Sequence, residues 1–261
     1  MIRIQEITAV VKEAAGLMSL SGFDIMQKGT VANLVTSSDI AVQHFLTERL
    51  GRLLPGSGFL CEEEDVQELA HEYVWIIDPI DGTANYARGL SDCAISVALE
   101  HKGEIIAGVI YSPGRGELYT AEKGGGAFCN GHPVHVADRP FEAGIICTAM
   151  STYRKEFAKA CSDIIFDVFM ECNDFRRFGS AAIELCLLAA GYADLYFEMR
   201  LQPWDYAAAS LILREAGGCI CGFDGSHPSL RKASLVLAAS SEQGLSRLLA
   251  TVHKHLPSLP Y

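Results

Sequence analysis

Apolar side chains recur at helical spacing near the start of the chain. Ile7, Val10, Val11, Ala14, Leu17 and Met18 share one face, which predicts an amphipathic first helix closed by Gly22. A second helix is predicted over residues 38–50, with Val42, Phe45, Leu46 and Leu50 inward. The run Asn33-Leu-Val-Thr-Ser-Ser-Asp39 ahead of it supplies short polar side chains where a helix start needs a cap. A short helix around residues 66–70 then leads into the apolar strand Val74-Trp-Ile-Ile77. From Ala94 the period changes to two: residues 94–99 and 105–111 read as an antiparallel hairpin turning at His101-Lys-Gly-Glu104. Further strands are predicted at 117–120 and 133–136.

Beyond the turn-like Asp138-Arg-Pro-Phe141, the element types alternate. Strands are predicted at 145–149, 167–171, 194–197, 219–222 and 235–239, and helices near 155–161, 181–190, 205–216 and 241–255. Such alternation implies a sheet covered by helices. The boundary divides an N-terminal α+β domain, 1–140, from a C-terminal α/β domain, 141–261. With 49% of its 261 residues apolar or aromatic, the chain can fill a large core.

Charge narrows the partners. A net charge of −11 argues against a nucleic-acid or anionic-membrane surface, and no segment has the length of a membrane span. A phosphorylated ligand would then need local positive charge, from a bound metal or from backbone N–H groups. The nine cysteines are an odd number set mostly in apolar stretches, and Cys219 and Cys221 would face opposite ways on one strand, so they read as free thiols of a reducing compartment. Charges in Met1-Ile-Arg-Ile-Gln-Glu6 interrupt any leader-like apolar run. A cytoplasmic protein with no membrane and no nucleic-acid polymer among its partners is expected.

The most informative stretch is Trp75-Ile-Ile-Asp-Pro-Ile-Asp-Gly-Thr-Ala-Asn85. An apolar strand delivers Asp78, Pro79 turns the backbone, and Asp81 follows three residues later, with the Ile80 carbonyl between them as a further oxygen ligand for a hard cation. Gly82 and Thr83 permit a sharp turn whose N–H groups suit a phosphate. The plainer reading makes Asp78 and Asp81 turn caps and Thr83 a turn residue. Glu62 in Phe59-Leu-Cys-Glu-Glu-Glu-Asp65 reads equally as acidic surface, and Asp205 after Trp204 as the cap of a buried helix. No cysteine has a neighbouring helix start and base, and none of the eight histidines lies in a phospho-enzyme motif, so neither type offers a recognisable nucleophile.

Asn33-Leu-Val-Thr-Ser-Ser-Asp39, Glu62-Glu63, Asp78-Pro-Ile-Asp-Gly-Thr83 with Asn85, Gly179-Ser-Ala-Ala182 and Trp204-Asp-Tyr-Ala-Ala208 through Glu215-Ala-Gly-Gly218 together resemble the inositol monophosphatase family, over essentially the whole chain. The resemblance implies a layered αβαβα sandwich with an antiparallel N-terminal sheet and a mixed C-terminal sheet, a lithium-sensitive homodimer, and two Mg2+ ions with a third held more weakly. It assigns Glu62, Asp78 and the Ile80 carbonyl to the first metal, and Asp78, Asp81 and Asp205 to the second. Asp39 and Thr83 match the pair that activates water, with Glu62 also catalytic. Gly82 and Thr83 match the phosphate cradle, while Ser180, Ala181, Glu198 and Asp205 match the substrate pocket. A small phosphorylated polyol or sugar is the implied substrate, myo-inositol monophosphate above all. The alternatives are histidinol phosphate, fructose 1,6-bisphosphate, a 3'-phosphoadenosine nucleotide, or a regulatory protein without turnover. Two departures stand out. Cys61 replaces a glycine, which raises the prospect of backbone strain or of a slip to Glu63, and Arg88, Ser91 and Asp92 follow the phosphate loop, where they would reshape either its rim or only its local packing.

Overall fold

The computed structural model describes residues 2–18, 24–27, 34–63, 69–152 and 154–259. The two predicted amphipathic stripes form α1 (Ile4–Ala15) and α2 (Ser37–Leu53). α1 ends at Ala15 with Gly16 as its cap, not at Gly22, which lies outside the described residues. Gly16 interrupts the stripe before Leu17 and Met18, and a glycine costs a helix about 1 kcal/mol relative to alanine. α2 starts where Thr36 and Asp39 exchange hydrogen bonds as a capping box, Thr36 accepting from the Asp39 N–H and Asp39 from the Thr36 N–H. Asn33 lies outside the described residues, as do 66–68 of the expected short helix, and Leu69 and Ala70 are not helical.

Strands β1 (Ile25–Gln27) and β2 (Leu34–Thr36) form a small antiparallel pair. The first large sheet runs in the order β3 (Gly58–Cys61), β4 (Tyr73–Asp81), β5 (Ala94–His101), β6 (Glu104–Ser112), β7 (Glu117–Glu122), β8 (Ala127–Cys129) and β9 (His132–Pro133). Its pairs are antiparallel except β3 with β4. The predicted hairpin forms with its turn at Lys102 and Gly103, both at positive φ. The expected strand at 133–136 shrinks to two residues, because the chain leaves the sheet after Pro133. A short helix, α3 (Thr83–Tyr86), follows β4.

The second sheet, β11 (Asp174–Arg176), β10 (Ile145–Thr148), β12 (Leu195–Leu201), β14 (Ser234–Ala239) and β13 (Cys219–Cys221) in that order, is mixed. β10 is parallel to both of its neighbours, whereas β14 is antiparallel to both of its own. Its helices are α4 (Ala158–Glu171), α5 (Ala181–Ala189), α6 (Pro203–Glu215) and α7 (Glu242–His255). The strand expected at 167–171 is instead the end of α4, which buries Cys161, Ile164 and Val168 at helical spacing while Phe166, Phe169 and Met170 stand exposed. With Val168, the last two make the short continuous apolar run Val168-Phe-Met170, which reads as a strand. The real strand, β11, is short and polar, and carries no such signal.

The layers follow from three cores. α1 and α2 cover the outer face of the first sheet through Trp75, Val97 and Val109. α5 and α6 fill the space between the sheets with Ala182, Leu185, Ala207 and Ala208 against Ile76, Ala98, Tyr196 and Val236. α4 and α7 cover the far face of the second sheet through Phe197, Leu237 and Leu248. The result is the expected αβαβα sandwich. The middle layer packs closely: a Cβ at Gly108 would stand 2.8 Å from the Ala208 carbonyl oxygen, so only glycine fits there. All nine cysteines are free thiols. Among the described residues no helix is long and apolar enough to cross a membrane.

Candidate active site

β4 is buried from Val74 to Ile80, and its apolar run holds Asp78 rigidly. Side chains three apart on a regular strand point to opposite faces. Here the register against β5 shifts between Asp78, opposite Ser96, and Asp81, opposite Ala94, so one extra residue is accommodated. That bulge turns both carboxylates to one side and gives Pro79, which has no N–H to donate, a tolerated place. Asp205 reaches the same point from the first turn of α6. A carboxylate oxygen from each of Asp78, Asp81 and Asp205 lies within 4.8 Å of the others.

Each aspartate is fixed by protein donors. Asp78 Oδ1 accepts from the Ile80 N–H at 3.0 Å, Asp205 Oδ2 from the Gln202 N–H at 2.7 Å, and Asp81 Oδ2 from Ser180 Oγ at 2.6 Å and the Ala182 N–H at 2.7 Å. Burial pushes the Asp78 carboxyl well above the usual range, and the charges of Glu62, Asp81, Asp205 and Asp39 push it further. Asp205 is raised by burial, then by Asp81 and Glu62. Asp81 is raised to about 6 by burial, against the opposing hydrogen bonds from Ser180 and Ala182.

Glu62 stands outside this closest group. It follows β3 beside β4, its N–H donating to the Ile77 carbonyl at 3.3 Å, close enough for its charge to act on Asp78 and Asp205. The Cys61 departure brings no strain, because Cys61 is a buried residue of β3 and is not among the positive-φ residues. Glu63 is held apart by Gln43, which donates to the Glu63 carbonyl at 2.6 Å and accepts from its N–H at 2.9 Å.

Asp39 is fully buried, its Oδ2 2.8 Å from the Thr36 N–H, while Oδ1 lies 3.2 Å from Thr83 Oγ1. Burial raises its carboxyl, opposed by the bonds from Thr36. Thr83 Oγ1 also stands 3.0 Å from the Ile80 carbonyl oxygen. Gly82 needs to be glycine on two counts, a φ of 89° and a would-be Cβ 2.9 Å from the Asp92 carbonyl oxygen. Ser180 and Ala181 sit at the start of α5. Glu198, on β12, accepts from the Tyr196 hydroxyl at 2.8 Å and is pushed up to about 7, chiefly by burial.

Some contacts of the site could not be read from the sequence. Asn85 donates to both the Asp92 and Phe178 carbonyls at 2.7 Å, tying the turn after β4 to the segment before α5. Asp92 in turn accepts from Arg115 at 2.9 Å, so this rim is braced, whereas Arg88 is exposed. Glu184 is buried beside the site and pushed up to about 8 by burial. It lies within an apolar helix, where only a structure shows which way a carboxylate turns.

A model of the inositol monophosphatase family matches residues 2–256. An inositol-1-monophosphatase of Mesorhizobium japonicum is 39% identical over 225 residues, covering 85% of this chain and 84% of that protein. Nus factor SuhB of Escherichia coli K12 is 35% identical over 232 residues, 88% of this chain and 86% of its own. The crystal structure of the extragenic suppressor protein suhB from Bartonella henselae superposes with a TM-score of 0.88 at 32% identity, over 96% of this chain and 98% of that one. Relatives from Salmonella typhimurium, Pasteurella multocida and Vibrio cholerae are also named Nus factor SuhB, and on that finding the exclusion of a nucleic-acid polymer from the partners is corrected. Net charge opposes non-specific attraction to a polyanion, but it does not bear on an assembly reached through protein contacts or one local patch.

Proposed function

The chain belongs to the inositol monophosphatase family and is a metal-dependent phosphomonoesterase, and we propose that it hydrolyses myo-inositol monophosphate or a closely related small polyol phosphate with Mg2+ as cofactor. The observation that carries this reading is the convergence of Asp78, Asp81 and Asp205. Burial first, and then repulsion between the acids, raises the Asp78 and Asp205 carboxyls, and a divalent cation would offset both. Carboxylate and carbonyl oxygens are also the donor set that Mg2+ prefers.

In this reading Glu62, Asp78 and the Ile80 carbonyl hold one ion, Asp78, Asp81 and Asp205 hold a second, and Glu62 helps to hold a weaker third. Bound there, Mg2+ acidifies water and offsets charge on the departing ester oxygen. The chain supplies the remaining roles. Thr83 has one hydroxyl proton; donated to Asp39, it leaves the oxygen to accept from the attacking water and to pass that water's proton toward the carboxylate. The Gly82 and Thr83 backbone faces the phosphate, and Ser180 and Ala181 line the pocket. Glu198, already oriented by Tyr196, accepts from a polyol hydroxyl.

The bisphosphate and nucleotide alternatives ask for further cations around the leaving group. Arg176, one candidate, is already paired with Asp174 at 2.5 Å. A panel of phosphate esters assayed with Mg2+, with chelator and with Li+ tests the reading. Myo-inositol 1-phosphate should give the highest kcat/KM, with turnover abolished by chelator and inhibited by Li+. Turnover without metal, or a preference for fructose 1,6-bisphosphate, would refute it.

A further inference from the structure

Asp81 takes its orientation from the start of α5, through Ser180 Oγ and the Ala182 N–H. That helix start is itself held by side chains outside the cluster. Gly179 has a φ of 83°, which glycine adopts freely and which therefore needs external fixing. Asn85 fixes the segment from one side by donating to the Phe178 carbonyl. From the other side, one oxygen of Glu184, Oε1, accepts from the Phe178 N–H at 2.5 Å and the Gly179 N–H at 3.0 Å. Glu184 is 1% exposed, and without it two partly buried N–H groups would lose their protein acceptor.

We propose that Glu184 is a positioning residue for metal binding: by clamping the Phe178 and Gly179 amides it sets Ser180 and Ala182 at the distance from which they hold Asp81. Its hydrogen bonds run to the Phe178 and Gly179 amides, and from that turn Ser180 and Ala182 reach Asp81. What matters is an acceptor oxygen at that reach, so Glu184→Gln, whose amide oxygen can accept the same two bonds, preserves the function. Glu184→Met keeps the length without an acceptor, and Glu184→Asp withdraws the acceptor by one methylene.

The inference rests on the phosphatase reading above, and its test separates the two. Mg2+ binding is measured by calorimetry on the full chain, alongside turnover of myo-inositol 1-phosphate at varied Mg2+. E184Q should stay within about 3-fold of wild type in both, and E184M should bind Mg2+ about 10-fold more weakly, as for lost supporting contacts of a metal ligand. Its turnover should recover in excess Mg2+ with the KM for the ester unchanged, which a general loss of structure would not produce. Where E184M does not fold, E184D carries the same expectation. A folded E184M or E184D that binds Mg2+ like wild type overturns the proposal, as does an E184Q as impaired as E184M. Wild-type protein that neither binds Mg2+ nor turns over the ester refutes the phosphatase reading itself.

Discussion

Thr83 Oγ1 stands 3.2 Å from Asp39 Oδ1, joining the turn after β4 to the capping box of α2 across 44 positions of sequence. The same carboxylate that starts a helix is thereby within reach of the hydroxyl proposed to activate water. Replacing Thr83 by Val keeps the shape and removes the relay, so kcat should fall by about 100- to 10,000-fold, the usual range for a lost proton-transfer group. Thr83→Ser keeps the hydroxyl and should retain most activity. Steady-state kinetics with both variants check this, and equal loss in the two would assign Thr83 a packing role only.

Asp78 sits at the centre of the mutual repulsion, facing Glu62, Asp81, Asp205 and Asp39. Asp78→Asn should therefore act in opposite directions on two properties. Turnover should drop at least about 100-fold, more than the loss of a supporting contact to a metal ligand. The metal-free protein should melt a few degrees higher, each kcal/mol of relieved repulsion being worth about 2–4 °C at this size. Thermal melts in chelator and in Mg2+, beside an activity assay, read both.

The raised carboxyls also set a pH dependence. In the metal-free chain Asp81 is raised to about 6 and Glu198 to about 7, mainly by burial, from ordinary values of 3.8 and 4.5. An acid raised on folding binds more protons folded than unfolded between the two values. Its stabilising contribution is full below the unfolded value and is lost as pH rises through the folded one. Urea unfolding in chelator should accordingly show stability falling from about pH 5 to pH 7, less steeply in Asp81→Asn. Mg2+ favours the ionised carboxylates, so saturating metal should remove the fall. A fall of equal slope in D81N would exclude Asp81 as a source.

In the proposed reading Glu198 meets the alcohol and not the phosphate. Glu198→Gln should raise KM for myo-inositol 1-phosphate by about 10- to 100-fold, the worth of a hydrogen bond to a charged group. An aryl phosphate without hydroxyls should be hydrolysed at nearly the wild-type rate. Comparable losses on both esters would place Glu198 among the groups that support the metals.

Much of this arrangement was legible in the chain because its signals are local. Helical stripes gave α1 and α2, alternation gave the β5–β6 hairpin, and Asp78-Pro-Ile-Asp-Gly-Thr83 carried two acids on one turn. What escaped depends on contacts between distant segments. The end of α4 was misread because Phe169 and Met170 are apolar yet face outward, and with Val168 they complete an apolar run that reads as a strand. Glu184 shows no sign in sequence that it turns back to the Phe178 and Gly179 amides, and Asn85 none that it bridges Asp92 and Phe178. The bulge at Pro79 was readable as a turn, but its consequence, two carboxylates on one face, needed the register against β5.

The central claim is that Asp78, Asp81 and Asp205 form one metal site. A crystal structure with Mn2+ in place of Mg2+, recorded at a wavelength where manganese scatters anomalously, tests it most directly. An anomalous peak should stand in contact with oxygens of all three aspartates and be absent from an Asp205→Asn crystal that has lost activity. Active wild-type crystals whose only manganese peak lies elsewhere would contradict the claim.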